Sequence, residues 1–298
     1  MTQTRTRSDR YPSRVGTEAS ITPRVEPVVH PGGPVSVLSD EQLAGFEREG
    51  FLLLESVFDG EEMARCRAEL TAMAARAEVR STPQAVVEPT SQDVRSIFEV
   101  HRSSAVFSEL ARDHRVADVA RTLVGSDVYL HQSRVNLKPG LRGKEFFWHS
   151  DFETWHVEDG MPAMRAVSAS VALTDNTEFN GPLMIIPGSH RSYVACGGET
   201  PERHYEQSLK RQEHGVPDAG SLTRLVEEGG IAAPKGAAGS VVFFDCNAMH
   251  ASGVNLSPYP RSNVFLVYNS VENTLEAPYS GQPPRPEYLG SRDFTALG

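Results

Sequence analysis

Val128-Tyr129-Leu130-His131-Gln132-Ser133-Arg134-Val135-Asn136-Leu137-Lys138, followed at once by Pro139-Gly140, alternates β-branched and polar residues and then stops on a turn dipeptide. Segments 165–174, 183–186, 240–244 and 263–271 repeat the pattern, with Asn180-Gly181-Pro182, Pro187-Gly188 and Ser257-Pro258 as turn signals. Upstream the character is helical. Residues 60–78 are rich in Ala, Glu, Arg, Met and Leu, 104–123 hold one or two further helices, and Ser39-Asp40-Glu41-Gln42 has capping-box spacing. Phe51-Leu52-Leu53-Leu54 reads as a short buried strand. Helices first and strands afterwards predict a mainly β protein with flanking helices on a double-stranded β-helix (jelly-roll, cupin-like) core. Such a core brings strands distant in sequence together.

At 298 residues the chain is long enough to bury a full core. Residues 1–35 mix Arg, Ser, Thr and five prolines without periodicity and read as an extended or mobile arm; 36–298 form a single domain, within which 196–239 reads as an insertion or lid. A formal charge of -10 argues against nucleic acid as partner. No run reaches membrane-spanning length, and the amino terminus lacks the apolar core of a secretory signal. Three scattered cysteines, Cys66, Cys196 and Cys246, make neither a disulfide framework nor a zinc knuckle. The expectation is a cytoplasmic protein.

Chemistry concentrates in Phe146-Phe147-Trp148-His149-Ser150-Asp151-Phe152-Glu153-Thr154-Trp155-His156. On an extended strand residues i and i+2 point the same way, so His149 and Asp151 can reach one metal ion. His250, 101 residues later, supplies a second imidazole. Two imidazoles and one carboxylate on one face of an octahedral ion, with the other positions open, form the facial triad of non-haem Fe(II) oxygenases. Arg261 follows eleven residues after His250, and its planar fork suits a carboxylate such as the far end of 2-oxoglutarate; Ser252 offers a hydroxyl to the same group. Taken singly, each of these is an ordinary surface or hydrogen-bonded residue. Together they make a site.

The order HxD, Pro187-Gly188-Ser189-His190, His250 and Arg261 resembles the phytanoyl-CoA hydroxylase superfamily of Fe(II)/2-oxoglutarate dioxygenases. Within it, FFWHSDFETWHVEDGMP at 146–162, HQSRVNLKPG at 131–140 and DRYPSR at 9–14 resemble the ectoine hydroxylases, so the likeness spans the chain. The resemblance implies iron on His149, Asp151 and His250, and 2-oxoglutarate on Arg261, Ser252, Asn136 and Lys138. It implies O2 as co-substrate and ectoine, held by Gln132, Thr154, Trp155 and Asn263, as substrate, hydroxylated to 5-hydroxyectoine with release of succinate and CO2. A homodimer is also implied.

Other residues in the same stretches read otherwise. His156 has the wrong strand parity for the metal, His190 anchors a loop, and Cys246 packs as a small hydrophobe. Glu153 and Asp159 read as solvated or outer carboxylates; Arg285 can close over the substrate carboxylate from the tail, but reads first as a solvated loop residue. Two rival readings remain open from the residues alone. One is a dioxygenase of the same class acting on an amino acid or acyl thioester, and the other is a jelly-roll metal protein that binds without turnover.

Overall fold

The computed structural model describes residues 9–16, 19–88, 91–208 and 214–298. Its strands are β1 (Ser20–Pro23), β2 (Phe51–Leu54), β3 (Ala85–Val87), β4 (Val94–Phe98), β5 (Val128–Lys138) and β6 (Phe146–His149). They continue with β7 (Ala166–Ala172), β8 (Leu183–Ile185), β9 (Ser192–Ala195), β10 (Val241–Asp245), β11 (His250–Ser252) and β12 (Arg261–Ser270). A seven-stranded antiparallel sheet runs β2-β10-β7-β12-β5-β4-β3, a three-stranded sheet runs β6-β11-β8, and β1 pairs with β9. The expected mainly β architecture with flanking helices is observed. Among the described residues no helix is long and apolar enough to cross a membrane.

Helices cover one face of the large sheet. Ser39 caps Asp40–Glu49 with the capping box read from the sequence, and Asp59 caps Gly60–Ala75 in the same way. The latter helix and the pair Ala105–Arg112 and His114–Val124 bury Met63, Leu70, Phe107, Val116 and Leu123 against Val128, Leu130, Val171, Phe243, Val264 and Leu266 of the sheet. This is the main core. Phe243, fully buried at its centre, should cost about 3–5 kcal/mol when cut to Ala, measurable by denaturant titration.

The opposite face of the sheet carries the chemistry, and a bulge sets it there. Val267 of β12 pairs with Gln132, but the next residue, Tyr268, pairs with Leu130, so His131 is the extra residue. Val128 and Leu130 before the bulge point to the helices, as do Val135 and Leu137 after it. Gln132, Arg134, Asn136 and Lys138 therefore face the other way. Simple alternation from Val128 would have put them on the helix side.

The described part of the expected amino-terminal arm, 9–16 and 19–35, is tied to the body, and its residues 1–8, 17 and 18 lie outside the described residues. β1 pairs with β9, Tyr11 is buried among Phe152, Trp155 and Tyr193, and Arg14 lies under the chain. The segment 196–239 contributes the short helix Tyr205–Ser208 and the helix Ala219–Gly229, capped by Asp218.

Candidate active site

Strand pairing brings the two imidazoles together. His250 of β11 lies directly opposite His149 of β6, with ring centroids 4.2 Å apart and planes at 51°. The strand does not continue to Asp151, as the sequence reading assumed. Ser150 is extended, its hydroxyl donates to Asn247 Oδ1 (3.0 Å), and Asp151 opens a helical turn, Asp151–Thr154, that runs on into a π-helix, Trp155–Asp159. Phe152 N–H donates to Cys246 O (2.8 Å), which ties the start of this turn to the strand end that precedes His250. Asp151 thus reaches the imidazoles from a helix start.

His149 Nε2 stands 3.6 Å from Asp151 Oδ1, and His250 Nε2 stands 3.9 Å from Asp151 Oδ2. Both separations are too long for hydrogen bonds and suit three donors around an ion. The ligand atoms all lie within 4.8 Å of one another, and Oδ2 is buried with no hydrogen-bond partner. Each ring is aimed by its other nitrogen: His149 Nδ1 meets Phe147 O at 2.7 Å, and His250 Nδ1 meets Ala248 O at 3.0 Å. Carbonyl acceptors assign the proton to Nδ1 and leave the Nε2 lone pairs facing Asp151. Burial, then the His149 ring, brings His250 down to about 4, so it is neutral and able to ligate at neutral pH. Burial alone would raise Asp151, but His250, His149 and Arg134 outweigh it and keep the carboxylate ionised. These donors fit Fe(II).

Beside the triad lies a cationic site without an acid. Arg261 is buried, and among the described residues its Nε has no hydrogen-bond partner while Nη1 donates to Asn263 Oδ1 (3.3 Å). Burial lowers it to about 10. Lys138, its cross-strand partner, donates to Ser252 Oγ (2.8 Å) and Gly253 O (2.6 Å), and is lowered to about 6 by burial and then by Arg261. Among the described residues neither Arg261 nor Lys138 hydrogen-bonds or ion-pairs with a carboxylate. A buried, unpaired guanidinium is costly, and a bound dianion such as 2-oxoglutarate relieves that cost. Asn136, further along β5, accepts from Ser96 Oγ (2.7 Å).

A cleft opens from His149 and Asp151, lined by Gln132, Arg134, Asn136, Thr154, Trp155 and Arg285 among others. Trp155 is buried with its ring edge-on to His131, centroids 5.0 Å apart. Gln132 donates from Nε2 to Leu289 O (2.6 Å) and accepts from Arg134. Of the four residues expected at the substrate, Gln132, Thr154 and Trp155 line this cleft. Asn263 does not; it is buried between Arg261 and Ser170 Oγ (3.0 Å), on the cationic side.

Several readings change. Arg285 is not solvated: Nε and Nη2 clamp Asp159 at 2.8 and 2.6 Å, so Asp159 is a buried ion-pair partner. Glu153 is likewise buried, paired with Arg14 rather than with water. His156 does stay away from His149, Asp151 and His250, stacked on Tyr279 and bonded to Met161 O and Asp9. His190 Nε2 binds Glu47 O (3.1 Å), and Cys246 is a buried thiol, both as expected. Two functional candidates were missed. Arg134 shares a face with Gln132 and Asn136 at i+2 spacing, a signal available once the bulge is known. Arg14 contacts residues some 140 positions away, and no spacing announces it.

Known proteins resemble this chain over most of its length. Residues 46–263 match the family model described as phytanoyl-CoA dioxygenase (PhyH). An ectoine dioxygenase of Bordetella bronchiseptica is 56% identical over 285 residues, covering 95% of this chain and 92% of that protein. The crystal structure of EctD from S. alaskensis with 2-oxoglutarate and 5-hydroxyectoine matches with a TM-score of 0.88 at 48% identity, over 97% of both chains. The same protein with bound Fe matches at 0.86 and 47%, again over 97% of both chains.

Proposed function

We propose, from the premise that this chain belongs to the phytanoyl-CoA dioxygenase family, that it is an Fe(II)- and 2-oxoglutarate-dependent enzyme hydroxylating ectoine to 5-hydroxyectoine. The observation that carries the proposal is the register pairing of His149 with His250, with Asp151 completing the donor set, next to the acid-free pair Arg261 and Lys138.

His149, Asp151 and His250 would hold the iron. Arg261, Lys138 and Ser252 would hold the far carboxylate of 2-oxoglutarate, with Asn136 nearer the cleft. When bound, iron and 2-oxoglutarate supply the oxidising chemistry: O2 gives one oxygen to the substrate and one to succinate, with loss of CO2. The chain's own residues bind, orient and exclude water. Ectoine carries a cyclic amidinium and a carboxylate. The Trp155 ring offers a π-surface to the cation, while Gln132 and Thr154 provide polar contacts and Arg134 and Arg285 bring positive charge toward the carboxylate. Asp159 keeps Arg285 in place at the cleft.

The test is succinate release with a panel of ectoine, amino acids and acyl thioesters. Stimulation by ectoine is expected. Stimulation by another compound and none by ectoine would move the protein to the rival substrate class, and no turnover with any would favour a binding protein. We further propose a homodimer in the cytoplasm, in keeping with the resemblance and with three buried free thiols. Size-exclusion chromatography with light scattering tests the dimer.

A further inference from the structure

The wall of the cleft that carries Thr154 and Trp155 is gripped from behind by the amino-terminal segment. Arg14 Nε and Nη2 donate to the two oxygens of Glu153 at 2.9 and 2.6 Å, Nη1 donates to Glu158 Oε1 at 2.6 Å, and Nη2 also reaches Thr154 Oγ1 at 3.2 Å. Ser13 Oγ donates to Glu153 Oε1 at 2.6 Å. Arg14 and Glu153 side chains are each 1% exposed. Burial works against both ion pairs, yet the fork satisfies three carboxylate oxygens and one hydroxyl at once, the geometry in which such pairs hold.

Two further features mark the arrangement as built for this grip. Arg14 has φ of 56°, a left-handed conformation rarely adopted by a residue with a β-carbon, and its N–H is tied to Cys196 O at 2.8 Å. Gly215 closes over the ion pair, and a Cβ there would stand 2.5 Å from Arg14 Nη2 and 2.6 Å from Glu153 Oε2. The gripped residues lie on the short helical turn and the π-helix that also bear Asp151, Thr154 and Trp155. π-helical turns are rare and recur at functional sites.

We propose that Arg14 is a positioning residue for hydroxylation: by holding Glu153, Thr154 and Glu158 it sets Thr154 and Trp155 against the substrate. Arg14 does not itself line the cleft. The proposal rests on ectoine being the substrate and adds to that reading a role for the amino-terminal segment. A looser wall admits ectoine out of register, so 2-oxoglutarate and O2 still give succinate and CO2, while the second oxygen atom, instead of entering ectoine, is reduced to water by a two-electron reductant such as the ascorbate added to the assay.

Arg14→Lys keeps the charge and loses the fork. The expected result is a KM for ectoine raised about ten- to a hundredfold, with the KM for 2-oxoglutarate within about twofold of wild type. More succinate should be released per ectoine hydroxylated. A fall in kcat with both KM values and that ratio unchanged would overturn the proposal, as would no effect. Should Arg14→Lys fail to fold, the combined Arg14→Met, Glu153→Gln and Glu158→Gln removes the grip without stranding a buried charge, and the same split decides. Emission from Trp155, made the sole indole by Trp148→Phe, supplies a readout without substrate, iron or 2-oxoglutarate. It should shift on Arg14→Lys, and an unaltered spectrum would count against positioning even if wild-type protein ignored ectoine and the substrate reading fell alone.

Discussion

Replacing His149 with Ala should remove ectoine hydroxylation to below detection, a loss well beyond the about 10–100-fold cost of losing an outer-shell partner of a metal. His149 and His250 face each other across two strands, and Asp151 fills the third corner with Oδ2 unpartnered. Deleting one imidazole leaves two donors, which cannot hold one face of an octahedral ion. The side chain of His149 lies at a strand end, 12% exposed, and among the described residues it hydrogen-bonds only a neighbouring carbonyl, so the fold should survive. Titration of the apoprotein with Fe(II) under nitrogen, followed by calorimetry, should show binding lost with the circular dichroism unchanged. Retained stoichiometric iron binding with full activity would remove His149 from the ligand set.

The second large effect concerns Arg261. Its guanidinium is buried with an unpartnered Nε and no acid in contact among the described residues, so in the free protein it is a destabilising group. Arg261→Met should raise the KM for 2-oxoglutarate by about 30-fold or more, corresponding to about 2–5 kcal/mol for truncating one partner of a buried charge pair. Stability should move the other way: the variant without 2-oxoglutarate should melt no lower than wild type, while added 2-oxoglutarate raises the melting temperature of wild type alone. Arg261→Lys should rescue little, because the fork that fits a carboxylate is gone. Equal thermal shifts with 2-oxoglutarate in wild type and Arg261→Met would refute this role.

Sequence alone went far wherever the signal was local. The Ser39 capping box, β5 from Val128 to Lys138, β2 and the turn dipeptides came from propensity and periodicity, and the structure has them. The candidate metal donors His149, Asp151 and His250 stand out for a different reason: few other uses combine HxD with a distant His and Arg. What stayed hidden depended on contacts far apart in the chain or on local breaks in regularity. The bulge at His131 reverses the facing of β5, and no alternation pattern contains it. The strand was assumed to run through Asp151, whereas the chain turns into a helix there, because Cys246 O and Asn247 offer partners to Phe152 and Ser150 that only the fold supplies. For Glu153 and Asp159 the sequence leaves solvated and outer positions both open, for Arg285 it favours solvent, and for Arg14 it offers no role, since charge type says nothing of burial. In the fold they form paired ions beneath the cleft wall.

Incubating the iron-loaded protein with ectoine, 2-oxoglutarate and isotopically labelled dioxygen, and weighing the products by mass spectrometry, tests the central claim most directly. Ectoine should gain one labelled oxygen atom, in step with succinate, and His149→Ala should show neither. Unmodified ectoine alongside ongoing succinate release, or an oxygen derived from water, would contradict the account.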